Sequence, residues 1–241
     1  TTAGDRKIPM VTGHGTASWA EEKTKFKESD ETFGQETLGA YKAATTVKVS
    51  EELLYDSVFN LEAYISQEFA RRIGSLEEEA FLVGDGTGKP TGVFNSAKTG
   101  VTAASAEAIT FDEIFDLFYS LKSAYRKNGI WICNDTTIKA LRKIKDANGQ
   151  YLWQPSVSAA TPDMLLNRPI KTSSYAPEIG TGKTPIIFGD FSYYWIADRQ
   201  GRSFKKLAEI YSETDEVGFK TTERVDGKLL LPEAVQALKM A

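Results

Sequence analysis

The sequence is poor in the residues that carry chemistry. One histidine, His14, and one cysteine, Cys133, stand among 241 residues. A four-ligand Cys/His zinc site therefore cannot form within one chain, and neither can an internal disulfide. A Cys–His dyad has no local motif behind it. His14 lies in Thr-Gly-His-Gly, a glycine-flanked stretch poorly suited to holding an imidazole for Ser-His-Asp chemistry. The lone cysteine fits a reducing compartment or an inert core thiol better than a secreted framework. No run of about 18 apolar residues exists, so no helical membrane span is expected. The N-terminus, Thr-Thr-Ala-Gly-Asp-Arg-Lys, is neither a signal peptide nor a Met start, which points to a chain that was cut or is a fragment. Positive charge is not in excess: 29 Lys+Arg against 33 Asp+Glu leave a formal charge of -4. That balance argues against tight, electrostatically driven nucleic-acid binding and leaves weak contact open. Internal repeats and low-complexity linkers are absent.

What is present suits a globular chain with a proper core. At 41% hydrophobic and 26% charged, 241 residues suffice for one large domain or two modest ones without disulfide staples. The first fifty residues differ from the rest. From Glu21 to Glu36 charges of both signs crowd a stretch whose only large apolar residues are Phe26 and Phe33, so it cannot form a core layer. β-leaning segments flank it, around Thr16–Trp19 and the alternating Ala44–Val49, with Ser29-Asp30-Glu31 as a polar tip. The reading is a long, exposed, two-stranded arm; a disordered charged loop is the alternative.

A spine helix follows. Leu54, Val58, Leu61, Ile65, Phe69, Ile73, Leu76 and Ala80 recur at helical spacing with no proline, predicting a helix from about Glu51 to Val83. The part after Asn60 alone spans roughly 36 Å. Asn60 or Ser57 suits a cap, Gly84 a stop, and Gly74 weakens the middle by up to about 1 kcal/mol relative to Ala.

Beyond residue 92 the pattern is that of a compact α/β unit. Thr110-Phe111-Asp112-Glu113 is a capping box opening a helix with Ile114, Leu117, Phe118, Leu121 and Tyr125 inward. Ile130–Cys133 is a short buried strand, Asn134 or Asp135 starts a helix burying Ile138, Leu141 and Ile144, and Asn148-Gly149 is a turn. Thr161-Pro162 is expected to cap a short helix through Leu166. Ile186–Asp190 and Tyr193–Ala197 read as buried strands. From Phe204 to Met240 the signal is β, with Asp226-Gly227 a hairpin turn between Val217–Thr222 and Lys228–Leu231.

No candidate site survives close reading. Gly84-Asp85-Gly86-Thr87-Gly88-Lys89-Pro90-Thr91-Gly92 looks like a phosphate loop, but only three residues separate Gly84 from Gly88, and Pro90 stands where a magnesium-binding hydroxyl belongs. The dinucleotide fingerprint fails because position 89 is lysine and the stretch follows a helix. A second near miss ends in Gly182-Lys183-Thr184, with Pro177 where the first glycine belongs. The first stretch reads better as a structural turn made by Gly84, Gly86, Gly88, Pro90 and Gly92, in which Gly84 closes the helix and the following glycines permit positive φ. Glu77, Glu78 and Glu79 read as a solvated helix face, and Asp190 and Asp198 as turn formers. The Asn134-Asp135-Thr136 sequon means little without a secretory signal. Trp19, Trp131, Trp153 and Trp195 read as core or interface anchors, since no basic run interleaves with them. No catalytic residue, metal ligand or cofactor is expected.

The order of elements, a charged arm, a spine helix, a glycine-rich turn, an α/β unit and a closing β region, resembles the major capsid protein family of tailed double-stranded DNA bacteriophages, which has the Hong Kong 97 capsid fold. Four stretches carry the likeness. They are Asn60–Ile65 leading to Glu78–Gly92; Asn167-Arg168-Pro169-Ile170; Phe188–Phe191 with Tyr194–Arg199; and Arg224–Lys228 before a final apolar strand. The resemblance implies an α+β fold with an N-terminal segment and extended β-hairpin loop over 1–49. A peripheral domain with the spine helix would occupy 50–105 and 203–232, and an axial α/β domain 106–202 and 233–241. It implies a structural, non-enzymatic subunit that self-assembles into pentamers and hexamers of an icosahedral shell in the virion, put together in the host bacterial cytoplasm. Expected partners are other copies of the chain, a scaffolding segment or protein, a maturation protease, a portal, and packaged DNA held by weak, non-specific contact; no membrane is involved. Trp19, Lys23, Lys25, Phe26, Lys27 and Phe33 become the candidate inter-subunit contacts of the extended loop. Some members of the family crosslink such a lysine to an asparagine in a neighbour's peripheral domain. Residues 201–241 contain no asparagine, so a non-crosslinked shell is expected. The alternatives are an encapsulin-type nanocompartment shell protein, which resembles the same fold, and, more remotely, a nucleotide-binding enzyme.

Overall fold

A computed structural model describes residues 6–13, 32–58, 60–146, 148–153, 163–199 and 201–241. The arm is a two-stranded antiparallel ribbon of β1 (Arg6–Gly13) and β2 (Thr32–Leu38), with Arg6 opposite Leu38 and Val11 opposite Phe33. Its strands are not the ones expected. Thr16–Trp19 and Ser29–Glu31 lie outside the described residues, and Ala44–Val49 belongs to β3 (Tyr41–Ser50), which pairs along its length with β11 (Glu216–Leu229) in the body. The alternation that suggested an arm strand exists because every second residue of β3 covers a core: Val47 and Val49 pack into a cluster with Leu61, Ile65, Phe69, Val217 and Phe219.

The helix over that cluster is broken in two. Following α1 (Glu51–Asp56), α2 (Leu61–Val83) starts anew at Asn60, whose side chain accepts the Ala63 N–H at 3.0 Å. Ser57 is extended, so the expected single helix ends there and Val58 is fully exposed. An unbroken turn would have left no place for the Asn60 cap. Leu76, expected on the buried stripe, is 48% exposed.

The sheet beneath α2 runs in the order β10 (Ser203–Leu207), β11, β3, and β9 (Tyr194–Asp198) pairs with the far end of β11. Asp226-Gly227 is therefore not a hairpin turn. β11 runs straight through it, exchanging β10 for β9 as its partner. Glycine is required at 227 for close approach, since a Cβ there would lie 2.6 Å from the Tyr194 hydroxyl and 2.9 Å from the Phe81 ring. β9 is a strand as expected but not a buried one; Trp195 and Ile196 are exposed.

The second sheet has six strands in the order β4 (Lys98–Thr102), β12 (Val235–Lys239), β8 (Ile186–Gly189), β5 (Ile130–Cys133), β7 (Arg168–Thr172), β6 (Met164–Leu165). It is mixed: β4–β12 and β5–β7 are parallel and the other pairs antiparallel. Sheet membership cuts across the expected segment boundaries, because β3, β4 and β9 each join the sheet on the other side of one. Before β4 comes the one-turn helix α3 (Val93–Ser96). α4 (Phe111–Ser120), the one-turn α5 (Ser123–Arg126) and α6 (Asp135–Arg142) complete the layer. The capping box forms as read: Glu113 accepts the Thr110 N–H at 2.8 Å, and the Thr110 hydroxyl accepts the Glu113 N–H. Asn134 caps α6 through the Thr136 N–H.

Ile114, Leu117, Leu121, Trp131, Phe188 and Leu238 are sealed from solvent, and the Trp131 and Phe188 rings stack 4.2 Å apart. Burial of this kind is worth about 1.5–3 kcal/mol per large side chain. The helix expected over Thr161–Leu166 is absent from its described part. Met164–Leu165 is a strand, and Leu166 and Asn167, both at positive φ, turn it tightly into β7. The carbonyls of Leu165 and Met164 accept the Trp131 and Trp153 indole N–H groups, which helix formation would compete for.

Candidate functional site: the arm root and the spine-helix turn

The glycine-rich turn is closed by its own backbone and braced by neighbouring side chains. The Gly84 N–H ends α2 on the Ala80 carbonyl at 2.9 Å, and the Gly92 N–H returns to the Gly84 carbonyl at 2.8 Å. Gly84 has an ordinary helical-side φ of -58°; its glycine is needed because a Cβ would lie 2.2 Å from the Pro90 carbonyl oxygen. Gly92 is excluded from larger side chains in the same way, by the Leu82 carbonyl at 2.4 Å. Gly86 and Gly88 are left-handed, at φ 79° and 69°. Asp85 takes the Thr87 N–H, Asn95 donates to the carbonyls of Val83 and Gly84, and the Thr91 N–H goes to Gly227. A phosphate cradle needs several free N–H groups converging on one point, and here those of Gly84, Thr87, Thr91 and Gly92 are already spent.

What the turn does instead is join elements. The Tyr41 hydroxyl donates to the Gly86 carbonyl at 3.1 Å, bringing in the start of β3, and the Tyr194 hydroxyl donates to the Thr91 carbonyl at 2.9 Å, bringing in β9. Burial, with Asp226 nearby, pushes the Tyr194 phenol well up, so it stays a donor. Asp226, itself buried, accepts the Gly39 N–H at 2.6 Å and its neighbour Gly227's N–H at 2.8 Å. Gly39 directly follows β2, two residues before β3, so this bond pins the arm's root. A second tie is Lys228 to Glu36 at 3.3 Å. Tyr41, Leu76, Ala80, Val83, Pro90 and Val225 line a hollow of about 220 Å³ between arm root, spine and turn.

Alongside lies a charge cluster where a solvated face was expected. Arg202 donates to Glu77 of α2 at 3.0 Å and to Glu223 of β11 at 2.8 Å, and the Glu223 side chain is only 4% exposed. Burial, then the Glu223 charge, raises the Glu77 carboxyl above its usual range. Glu78 accepts the Ser173 hydroxyl at 2.6 Å, tying the spine to the loop after β7; of the three glutamates, Glu78 and Glu79 are exposed as expected and Glu77 is half-buried. Farther along, Arg71 and Arg72 hold Glu68 down to about 2 through hydrogen bonds. Cys133 is buried, and desolvation pushes its thiol up to about 12, which makes it a poor nucleophile. Among the described residues no group of three His, Cys, Asp or Glu side chains is placed to hold a metal ion, and no helix is long and apolar enough to cross a membrane.

Of the expected loop contacts, Trp19, Lys23, Lys25, Phe26 and Lys27 lie outside the described residues, as does His14; Phe33 sits in β2 opposite Val11, its side chain outside the description. Sequence reasoning missed Tyr41, Tyr194, Arg202, Glu223 and Asp226. A signal existed for Glu223: the alternation Val217, Phe219, Thr221, Glu223, Val225 places an acid on an inward face, where it needs a cation.

The sequence matches the phage capsid family over residues 1–240. It is 27% identical, over 88% of its length, to the major capsid protein of Klebsiella oxytoca phage phiKO2, of which it spans 52%, about half. Among solved structures, the capsid of a native GTA particle shares 29% identity with a TM-score of 0.90, covering 100% of this chain and 86% of that one. A chain from Microbacterium phage Oxtober96 has a TM-score of 0.78 at 18% identity over 100% of this chain and 88% of its own, a likeness of fold alone.

Proposed function

Since the chain belongs to the phage capsid family, we propose that it is a structural subunit that self-assembles, as pentamers and hexamers, into an icosahedral shell enclosing double-stranded DNA. The observation that carries this is the agreement over the whole chain with the capsid of a GTA particle, in sequence and in backbone together. The relatives matched are capsid proteins of phages and of that particle, which favours this reading over a nanocompartment shell.

The geometry suits the role. A ribbon that projects from the body is entropically costly unless it lies on a neighbour, and its root is fastened by Asp226 and Lys228 so that the projection has a fixed origin. Trp19, Lys23, Lys25, Phe26, Lys27 and Phe33 are the proposed contacts along it. Gly84, Gly86, Gly88, Pro90 and Gly92 set the direction in which the chain leaves the spine. Mixed-sign charge on the arm confers register more than affinity, and repetition over many copies makes weak contacts cooperative. The division into an arm over 1–49, a peripheral domain over 50–105 and 203–232 and an axial domain over 106–202 and 233–241 holds in this proposal, with β3, β4 and β9 following their sheets. The subunit acts by shape and not as an enzyme. It becomes part of the virion, assembling in the bacterial cytoplasm with scaffolding, a maturation protease and a portal, and its shell is not crosslinked. Negative-stain microscopy of the expressed protein tests this directly: closed shells or capsomer rings are expected, and monomers under every ionic condition and concentration would overturn it.

A further inference from the structure

We propose that the side of the four-stranded sheet turned away from α2 is a docking surface for the phosphate backbone of nucleic acid. The proposal rests on the shell reading, which supplies the DNA. On β3 the residues of one alternation, Lys42, Ala44, Thr46, Lys48 and Ser50, are exposed, while Val47 and Val49 of the other lie under α2. The register carries that exposed alternation across the sheet. Arg224 stands opposite Lys42, and Lys220 is flanked by Thr46 on one side and Lys205 on the other. Lys42, Arg199, Lys205 and Arg224, with Ser203 and Thr222, line a single hollow of about 250 Å³. The carboxylates near this side are already engaged: Glu36 pairs with Lys228 at 3.3 Å, and Glu223, which also lines the hollow, accepts from Arg202 at 2.8 Å. Glu216 pairs with Lys48 at 3.3 Å, and Asp226 is buried beneath the Gly39 N–H.

A clustering of cations on one face is notable in a chain whose formal charge is -4. The spine carries the opposite balance, with Glu62, Glu68, Glu77, Glu78 and Glu79 against Arg71 and Arg72. Acid thus predominates on the α2 side of the layer, where Lys206 and Arg202 pair with Glu62 and Glu77, and base on the other. From Lys42 to Lys48 the cations extend about 20 Å along β3, a length that faces several phosphates of a duplex.

The chemistry between the cations decides which polyanion fits. Ala44, Thr46, Ser203 and Thr222 supply small side chains and hydroxyls, which suit phosphate oxygens. A polypeptide such as the acidic stretch 21–36 of a second copy would bring Phe26 and Phe33, and such aromatics dock by filling apolar pockets. The hollow offers none. With no aromatic ring among its lining residues, the hollow grips backbone and reads no base; Tyr211, beneath the Lys48 ammonium, and the exposed Trp195 lie on the same side of the sheet but outside it.

The test is fluorescence anisotropy of a labelled 20-base-pair duplex titrated with the full chain, at 50 and 200 mM salt. Binding independent of duplex sequence is expected, with affinity falling roughly 100-fold between the two salts if about four phosphates are neutralised. Lys42→Glu, Lys205→Glu and Lys220→Glu together should weaken binding at least tenfold, whereas Lys139→Glu with Lys143→Glu, on α6 and at its C-terminal cap, should leave it unchanged. Should the triple reversal fail to fold by circular dichroism, single Lys→Gln changes serve, each lowering the salt slope by about one. No binding at 50 mM salt, or equal loss from both sets of variants, overturns the proposal. So does tighter binding of a synthetic peptide of residues 21–36 that these lysines control, which would assign the face to a second copy's arm. Microscopy separates this from the shell reading: native chain that builds shells but ignores DNA sinks the docking surface alone.

Discussion

The six-stranded sheet is covered on both sides, whereas the four-stranded sheet is covered on one. In the first, all four residues of β8 are buried, and Trp131 and Phe188 stack at its centre. In the second, β3 alternates between partly buried and exposed along its whole length, and the layer's polar ties sit at its margins, in Arg202–Glu223 and Asp226–Gly39. The difference is between a region stabilised chiefly by burial and a region that gives up one face and replaces lost burial with a few charge-assisted bonds. The first anchors; the second is free to meet other molecules.

The sharpest way to break that contrast is to attack each region where it is strongest. Phe188→Ala should cost about 3–5 kcal/mol, because it removes the ring at the centre of a core that cannot collapse around it; a urea melt of the full chain that moved less than this would show the six-stranded sheet to be loosely packed. Arg202→Ala should cost about 2 kcal/mol. It leaves Glu223 buried without its cation, though the exposure of Arg202 lets water relieve part of the loss. Gly227→Ala, which would be mild in a hairpin loop, should cost about 1–3 kcal/mol here because its methyl group meets Tyr194 and Phe81.

A smaller effect concerns pH. The folded state holds the Glu77 proton more firmly than the unfolded chain does, so it binds more protons between the usual carboxylate range and the raised value. Glu77 therefore contributes stability on the acid side that is lost as pH rises through that window. Glu77→Gln should melt higher than the native chain at neutral pH, with the gap closing by about pH 4; a gap that widened on acidification would mean that Arg202 dominates over burial. The smallest change expected is Gly74→Ala, a gain of up to about 1 kcal/mol. Gly74 is exposed in mid-helix, and nothing lies within 4 Å of the added methyl.

Legibility follows the same division. Elements whose reasons are local could be read directly: the Thr110–Glu113 box, the Asn134 cap, the buried run Ile130–Cys133, the positive φ of Gly86 and Gly88, and the turn at Gly149. Misreadings cluster where a distant partner overrides a local signal. Asp226-Gly227 has the composition of a turn, yet β9 and Tyr194 hold it extended. Met164–Leu165 follows a helix-start signal, yet two tryptophan N–H groups claim its carbonyls. Asn60 caps a helix as read, but the periodicity from Leu54 to Leu61 suggested one unbroken helix, whereas Ser57 is extended and α2 starts anew at Asn60.

By itself the sequence determined the inventory. With one histidine and one cysteine it closed most routes to metal and thiol chemistry, and its charge pattern and periodicities set out a charged arm, a spine and an α/β layer in order along the chain. These follow from residue type and spacing within a turn or a strand, which chain connectivity alone enforces. Tertiary structure decided which side chains meet. That Glu77 leaves solvent for Arg202, that Asp226 pins the arm's root, and that cations from β3, β10 and β11 come to share one face depend on pairing residues far apart in the chain. No local preference specifies such pairings; burial of the face beneath α2 selects the register, and the register places everything on the other side.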